Sequence, residues 1–437
     1  MARHNVFVLG LDETNLETMA SLPHLGEYRF HQLLTMEELQ IGEIPIADLL
    51  DKARHELDTF DGSVDAVVGY WDFPVSSMVP ILCEAYGLRG PSLAAVLRCE
   101  HKYWSRLEQQ KVTDAVPRFG IVDLDADDPR PPEGIRYPFW MKPVKSYSSK
   151  LAFKVKDDEQ FAQAVAETRQ GIGRLGEPFE YVLQRVDLPA EVAEVGGSAC
   201  LAEQALTGAR AATEGYVFEG RPHVYGVLDS VNYPGKPNFL RHQYPSQLPQ
   251  RVRDRLVEVS EKVIAQIGLD WATFSIEFFC EPDTGDVSIL EVNPRHSQAH
   301  AELFQLVDGV PNHHCMLSLA LGHDPQLPNR QGDYEIAAIY YHRHFGQDGV
   351  VHRAPTDGDV RRVERDIPGV SVHPLVRKGD RLADQFTQDE YSVELAELVV
   401  AGRDVADMED KCRRAVDALG FEVGGAGADT APNAGPD

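Results

Sequence analysis

The chain lacks most of the features that would place it outside a cell or across a membrane. Its six cysteines (Cys83, Cys99, Cys200, Cys280, Cys315, Cys412) are scattered through 437 residues with no CxxC pair. That spacing excludes a zinc ribbon or a disulfide framework and reads as reduced, mostly buried thiols. No stretch reaches the roughly 18 apolar residues that a membrane span needs. The N-terminal run meets Asp12 and Glu13 too soon for the apolar core of a signal peptide. A cytoplasmic protein without a membrane partner is therefore expected. Basic residues are scarce as well: 42 Lys+Arg face 69 Asp+Glu, a formal net charge of −27. Such a balance repels phosphate backbones and anionic lipid at long range, so no nucleic-acid partner is expected. A local basic pocket for a small anion is compatible with it. No GxGxxG follows the first apolar run, which leaves a dinucleotide fold without its fingerprint.

What is present is a multi-domain pattern. Residues 5–11 and 64–70 are short apolar runs of the kind that form buried parallel strands, with helical patterns around 47–57 and 75–86. Strands alternating with helices indicate an open α/β domain over about residues 1–90. Ser92 reads as the N-cap of a further helix, in which Leu93, Val96, Leu97, Trp104 and Leu107 form one apolar stripe and Lys102 lies off it. A turn-rich connector at 124–134 precedes a strand at 137–144, and a mixed region runs to about 321. A strand-rich segment at 334–400 and a helix at 405–419 follow. The tail 424–437, rich in Gly, Ala and Pro, is expected to be disordered.

The most informative local feature is a pair of β-favouring runs. Phe274-Ser-Ile-Glu-Phe-Phe-Cys280 and Val287-Ser-Ile-Leu-Glu-Val-Asn293 flank a turn rich in Pro, Asp and Gly. A turn centred on Thr284 faces Glu277 directly against Glu291 and puts Asn293 on the same face. Like charges opposite one another destabilise a sheet. A divalent cation between them removes that cost, and carboxylate and amide oxygens are the hard ligands magnesium prefers. The other reading, a solvent-facing sheet side in a different register, stays open on these residues alone.

Glu277 followed by Glu291-Val-Asn-Pro-Arg295 resembles the magnesium-binding signature of the ATP-grasp superfamily. The resemblance implies that Glu277, Glu291 and Asn293 hold Mg2+ between ATP phosphates, and that Arg295 contacts the transferred phosphate or acyl phosphate. Other parts of the family pattern follow in chain order. Lys142 ends a strand before Lys145-Ser-Tyr-Ser-Ser-Lys150, and a lysine so placed can reach a phosphate while loop amides and hydroxyls cap its oxygens. This resembles the phosphate lysine and phosphate loop of the family, with Ser146, Ser148 and Ser149 as contacts, although the family commonly has glycines there. A plain surface loop is the other reading. Lys102 resembles the first nucleotide-contacting lysine. Residues 200–206 resemble the hinge strand, which implies that Glu203 accepts from the adenine amino group while Gln204, Ala205 and Leu206 line the purine slot. Where the family often has an acidic residue for ribose, this chain has Arg210, with Glu214 later. Arg241 and His242 fall where carboxylate–amine ligases carry basic groups facing the acyl phosphate and amine, and a structural role for either is the alternative. His296 and His300 lack the glutamate of HExxH, which excludes the zinc-protease pattern. They either shape the substrate pocket or simply pack.

The fold class that the resemblance implies is mixed α/β and α+β. It comprises an N-terminal Rossmann-like domain (1–115), a central ATP-grasp domain (116–325, smaller lobe about 137–206) and a strand-rich cap (326–423). The cap resembles that of biotin carboxylase-like and L-amino-acid ligase members, and single-chain amino-acid or peptide ligases fit best. The implied cofactors are ATP and one or two Mg2+ ions, with Mn2+ as a substitute. The implied activity is that of an ADP-forming ligase, which couples a small carboxylate to an amine through an acyl phosphate. The resemblance also admits a homodimer. Two alternatives stand beside it: a bicarbonate-using carboxylase or carbamoyl-phosphate-type enzyme, and a nucleotide-binding module without turnover.

Overall fold

The two N-terminal apolar runs become neighbouring strands of a parallel sheet. A computed structural model of the chain describes residues 3–146, 151–346, 348–385 and 392–424. β1 (His4–Leu9) lies between β2 (Tyr28–Leu33) and β3 (Ala66–Val68) and pairs parallel with both. Its two faces bury different residues, Phe7 and Leu9 in one core cluster and Val6 and Val8 in another. Burial on both faces is why the run is continuous rather than alternating. β2 escaped the sequence reading because its polar residues give it no apolar run. Around this sheet lie α1 (Glu13–Met19), α2 (Met36–Gln40), α3 (Ile46–Asp58) and α4 (Val75–Tyr86).

The single helix expected after Ser92 is two. Ser92 does cap α5 (Leu93–Glu100), accepting from the Ala95 amide, but the helix ends there and α6 (Lys102–Gln109) begins anew. Two bonds explain the break. The His101 imidazole takes the Trp104 amide proton at 3.2 Å, and the Lys102 amide donates to the Val144 carbonyl at 2.9 Å instead of to a helical partner. Lys102 is consequently buried, not a solvated side chain off an apolar stripe.

β4 (Phe119–Val122), β5 (Phe139–Pro143), β6 (Phe153–Val155) and β7 (Cys200–Gln204) form an antiparallel sheet in the order β4-β7-β5-β6. α7 (Asp158–Gly171), α8 (Gly173–Leu183) and α9 (Ala190–Ala193) connect β6 to β7. Next come β8 (Ala209–Phe218), β9 (Arg221–Asn232), β10 (Phe239–Tyr244), α10 (Gln250–Ile267), β11 (Ala272–Cys280) and β12 (Val287–Asn293). β12, β11 and β8 pair antiparallel, and α10 covers one face with Leu256, Val259 and Val263 against Phe274, Ile276 and Phe278.

The chain divides into two units of interleaved segments. The first comprises Met1–Val227, Leu248–Gln298 and Asn312–Leu327. The second comprises Leu228–Gln247, Ala299–Pro311 and Pro328–Asp437. Helix α11 (Ala301–Asp308) belongs to the second unit and α12 (His313–Ala320) to the first. In the second unit β10 pairs with the end of β9 and with β13 (Ile336–Phe345). A short strand β14 (Val350–Arg353) and helix α13 (Asp357–Asp366) precede β15 (Val370–Pro374), which pairs with β16 (Ser392–Gly402), itself paired with β13. Helix α14 (Val405–Leu419) packs on this sheet through Met408, Cys412 and Ala415. Gly424, read as the start of a tail, instead ends β17 (Glu422–Gly424) and pairs with Val350. The rest of that tail, 425–437, lies outside the described residues. All six cysteines are buried and unbridged. Among the described residues no helix is long and apolar enough to cross a membrane.

One glycine in this scaffold is required by contact. Gly215 on β8 sits directly opposite Phe274 on β11. A Cβ there would stand 2.2 Å from the Phe274 ring and 2.7 Å from the His223 carbonyl. Gly215→Ala should therefore destabilise the protein by about 1–3 kcal/mol through overpacking. A urea unfolding midpoint equal to that of the wild type would contradict this packing.

Candidate functional site

The β11–β12 hairpin places its carboxylates by means of an irregularity. Glu277 pairs with Glu291 and Ser275 with Asn293, the pairing expected from the sequence. The next pair towards the turn is Phe278 with Ile289, so Leu290 is the extra residue of a bulge. Val287 and Ile289 point into the core with α10. Strict alternation would send residues 291 and 293 the same way. The bulge reverses the parity, sends Val292 into the core and brings Glu291 and Asn293 onto the face of Glu277. Its backbone is not left wanting, because the Leu290 carbonyl accepts from Arg106 Nη2 at 2.7 Å.

Every carboxylate of the cleft is met by a cation from another element. Lys102 Nζ donates to Glu291 Oε1 at 2.6 Å and to the Ser146 carbonyl at 2.8 Å. Arg210 Nη2 donates to Glu277 Oε2 at 3.3 Å. The position where the family resemblance looked for a ribose acid thus holds a cation that faces Glu277. Burial pushes the Glu291 carboxyl up, but Lys102 and Lys142 outweigh it and hold it below the usual carboxylate range.

Glu203 has a different setting from the one expected. Its side chain is buried on β7, with Oε1 accepting from Arg106 Nε at 2.6 Å and Oε2 paired with Lys142 Nζ at 2.5 Å. Both oxygens are engaged by cations, which replaces the expected open acceptor for an adenine amino group with a buried ion triad. Burial raises its carboxyl, yet Arg106 and Lys142 together bring it down to about 2. Burial lowers the Lys142 ammonium, opposed by Glu203. Gln204 is exposed at the end of β7 and its amide donates to the Arg118 carbonyl at 2.9 Å. Ala205 and Leu206 are half-buried in the connection to β8.

A polar cavity of about 200 Å3 is lined by Glu277, Glu291, Asn293, Arg295 and Ser146 from the expected set. It adds Asp72, Glu100 and Lys145, which sequence reading did not single out. Arg295 donates to Asp72 Oδ1 through Nε at 2.9 Å, and Nη2 stands 2.7 Å from the same oxygen. Lys145 is buried beside Glu100 at 3.1 Å, and Glu100 also accepts from Ser76 and Ser77. Residues 148 and 149 of the expected phosphate loop lie outside the described residues. Among the described residues no three His, Cys, Asp or Glu side chains converge as a metal site. A cation here would take Glu277 and Glu291 with the Asn293 amide oxygen as its third protein donor, an all-oxygen set that suits magnesium.

Arg241 and His242 belong to the second unit. Arg241 pairs with Glu409 at 3.0 Å and donates to Gln243, while His242 Nδ1 contacts the Ser230 hydroxyl at 2.8 Å and its ring packs near Phe239, His300 and Tyr341. His296 and His300 do not share an environment. His300 stacks edge-on with His242, whereas His296 is fully buried in the first unit between Thr273 and His313. Arg106 was missed because a lone helical arginine carries no motif, and Asp72 because it sits in a loop far along the chain from its partner.

Residues 135–301 match the model of the ATP-grasp domain. An uncharacterized protein of Sinorhizobium fredii is 23% identical over 398 residues, covering 85% of this chain and 75% of that one. The crystal structure of an L-amino acid ligase from Bacillus licheniformis superposes with a TM-score of 0.71 at 16% identity, covering 97% of this chain and 99% of that one. The biotin carboxylase domain of a 2-oxoglutarate carboxylase from Hydrogenobacter thermophilus, in complex with MgADP and bicarbonate, superposes at 0.64 with 16% identity, covering 97% and 91%. At these identities the two structures establish a shared fold.

The Glu203 triad has a pH signature. Its folded carboxyl is depressed, so its contribution is complete above the unfolded value of about 4.3 and disappears as pH falls towards about 2. Glu203→Gln, which strands two buried cations, should cost about 3–5 kcal/mol at neutral pH. The difference from wild type should shrink between about pH 4 and pH 2, as read by urea unfolding across that range. A difference independent of pH would remove the triad from the stability account.

Proposed function

Because the chain carries an ATP-grasp domain within a multi-domain ATP-grasp fold, we propose that it is an ATP-dependent ligase. In this reading it activates a carboxylate as an acyl phosphate, couples it to an amine and releases ADP and phosphate. The observation that carries this reading is the convergence of Glu277, Glu291, Asn293 and Arg295 on one polar cavity, with Lys102 bonded to Glu291. Magnesium held by Glu277, Glu291 and Asn293 would screen the triphosphate and leave its terminal phosphorus open to attack. Lys102, buried and bonded to Glu291 at the cavity wall, would turn from that carboxylate to a phosphate oxygen with little further desolvation. Lys142, buried beside Glu203, adds positive charge behind it.

The chemistry then asks two things of the chain. A carboxylate acylates amines poorly at neutral pH. When its oxygen attacks the γ-phosphorus, the bond to the ADP oxygen breaks and a good leaving group is installed on the acyl carbon. The amine adds to that carbon, loses a proton and expels phosphate, giving the amide. Arg295 would neutralise the incoming acid and the tetrahedral intermediate. The lining residues Ser146, Asn293 and Asp72 orient polar groups rather than apolar ones, which suits a small, polar acid. Amino acids or short peptides are the substrates that the likeness to the Bacillus licheniformis ligase favours.

Incubation with MgATP and pooled amino acids should release ADP and phosphate and produce a new amide mass. Release of ADP that depends on bicarbonate would instead support a carboxylase, and AMP with pyrophosphate would sink the proposed mechanism. Binding of ATP without turnover on a broad acid and amine panel would favour a nucleotide-binding module. Glu291→Gln should lower turnover by on the order of 100-fold or more while leaving the far-ultraviolet dichroism and the melting curve of a folded protein. Near-normal activity in that variant would mean that the metal assignment is wrong.

A further inference from the structure

Behind the Asp72–Arg295 pair runs a buried chain of polar side chains that the proposed chemistry does not use. Thr273 Oγ1 lies 3.0 Å from His296 Nδ1, His296 Nε2 lies 2.9 Å from His313 Nδ1, and His313 Nε2 lies 3.0 Å from Asn15 Oδ1. The Asn15 side-chain nitrogen donates to Asp12 Oδ2 at 2.7 Å, and the Tyr70 hydroxyl donates to the same oxygen at 3.0 Å. Both histidines and Tyr70 are fully buried.

The direction of every bond in this chain follows from its end. The Asp12 carboxylate only accepts, so Asn15 must present its nitrogen there and its oxygen to His313. His313 therefore carries its proton on Nε2 and accepts at Nδ1. His296 must in turn donate from Nε2 and accept the Thr273 hydroxyl proton at Nδ1. A single pair of tautomers satisfies all the bonds, which makes the chain a rigid strut.

Two of its members are near neighbours in sequence of the two members of the ion pair. His296 directly follows Arg295, and Tyr70 stands two residues before Asp72. The backbone after Arg295 is gripped further: the His296 amide donates to Thr273 Oγ1, the Ser297 amide to Glu214, and the Asn312 side chain to the Ser297 carbonyl. The guanidinium has Nε and Nη2 on one Asp72 oxygen and Nη1 at 3.3 Å from the His296 carbonyl, so all three nitrogens are directed. Without Asp72, a long side chain at the edge of a cavity has several rotamers to choose from.

We propose that Asp72 is the positioning residue for Arg295, and that the Thr273–His296–His313–Asn15–Asp12–Tyr70 chain holds their two segments in register. The catalytic consequence rests on the reading of Arg295 as the group that meets the acyl phosphate, while the positioning itself does not.

Two measurements on the full chain separate these. In arginine-15N-labelled protein without ligand, the Arg295 Nε–H resonance, identified by its loss in Arg295→Lys, should be dispersed and slow to exchange. Asp72→Ala should move it into the envelope of exposed arginines, and Asp72→Glu should restore it in part. His313→Gln, which touches neither member of the pair, should speed its exchange while the melting curve remains cooperative. A resonance unchanged in Asp72→Ala overturns the proposal whatever the activity. With MgATP at saturating concentration, the turnover of Asp72→Ala on pooled amino acids should fall about tenfold or more. Turnover within about twofold of wild type overturns the catalytic consequence. Absence of turnover in the wild type counts against the ligase reading alone, since the resonance still decides the positioning.

Discussion

The guanidinium of Arg106 ties together the elements on which the cleft is built. Its three nitrogens reach Glu203 on β7, Gln109 on its own helix and the Leu290 carbonyl at the bulge of β12. Without a donor at that carbonyl the bulge would leave a buried acceptor unsatisfied, and the cost of such a group is comparable to a lost hydrogen bond or more. The bulge decides that Glu291 and Asn293 share a face with Glu277. One buried cation thus supports both the orientation of the carboxylates and the ionisation of Glu203. Arginine suits this role better than lysine, because a planar fork can satisfy three acceptors in fixed directions.

The electrostatics of the cleft follow a consistent rule. Carboxylates removed from water must be paired, or they would take up protons. Here Glu291, Glu277, Glu203, Glu100 and Asp72 each have a cation within ion-pairing distance. The chain as a whole has formal charge −27, whereas this part of the first unit alternates signs closely. Such a lining favours ligands that bring charges of both signs, as a metal–nucleotide complex does. A ligand entering it would exchange partners with lysines, Lys102 and Lys145, that are already buried.

Much of the fold could be read from the chain because its signals are local. The apolar runs of β1 and β3, the spans of α4 and α14, and the strand carrying Lys142 all follow from periodicity and short-range punctuation. The pairing of Glu277 with Glu291 was legible too, although it arises from a bulge and not from a turn centred on Thr284. Other features have no local signal. The break at His101 depends on the Val144 carbonyl, which is distant in sequence. Glu203 could be placed on a strand, but its partners could not, since Arg106 and Lys142 arrive from α6 and β5. Asp72 finds Arg295 across more than half the chain.

The order of residue types along this chain, by itself, determined that it has strands, helices and a hairpin bearing two carboxylates, an amide and an arginine. Those properties depend on intrinsic backbone preferences and on side chains a few positions apart, which act before any tertiary contact exists. Only the tertiary structure decided which cation meets which carboxylate, that His296 is a buried link rather than a pocket wall, and that Asp72 holds Arg295. Ion pairs and buried hydrogen bonds act over a few ångströms, so the distances that fix them exist only once distant segments have packed.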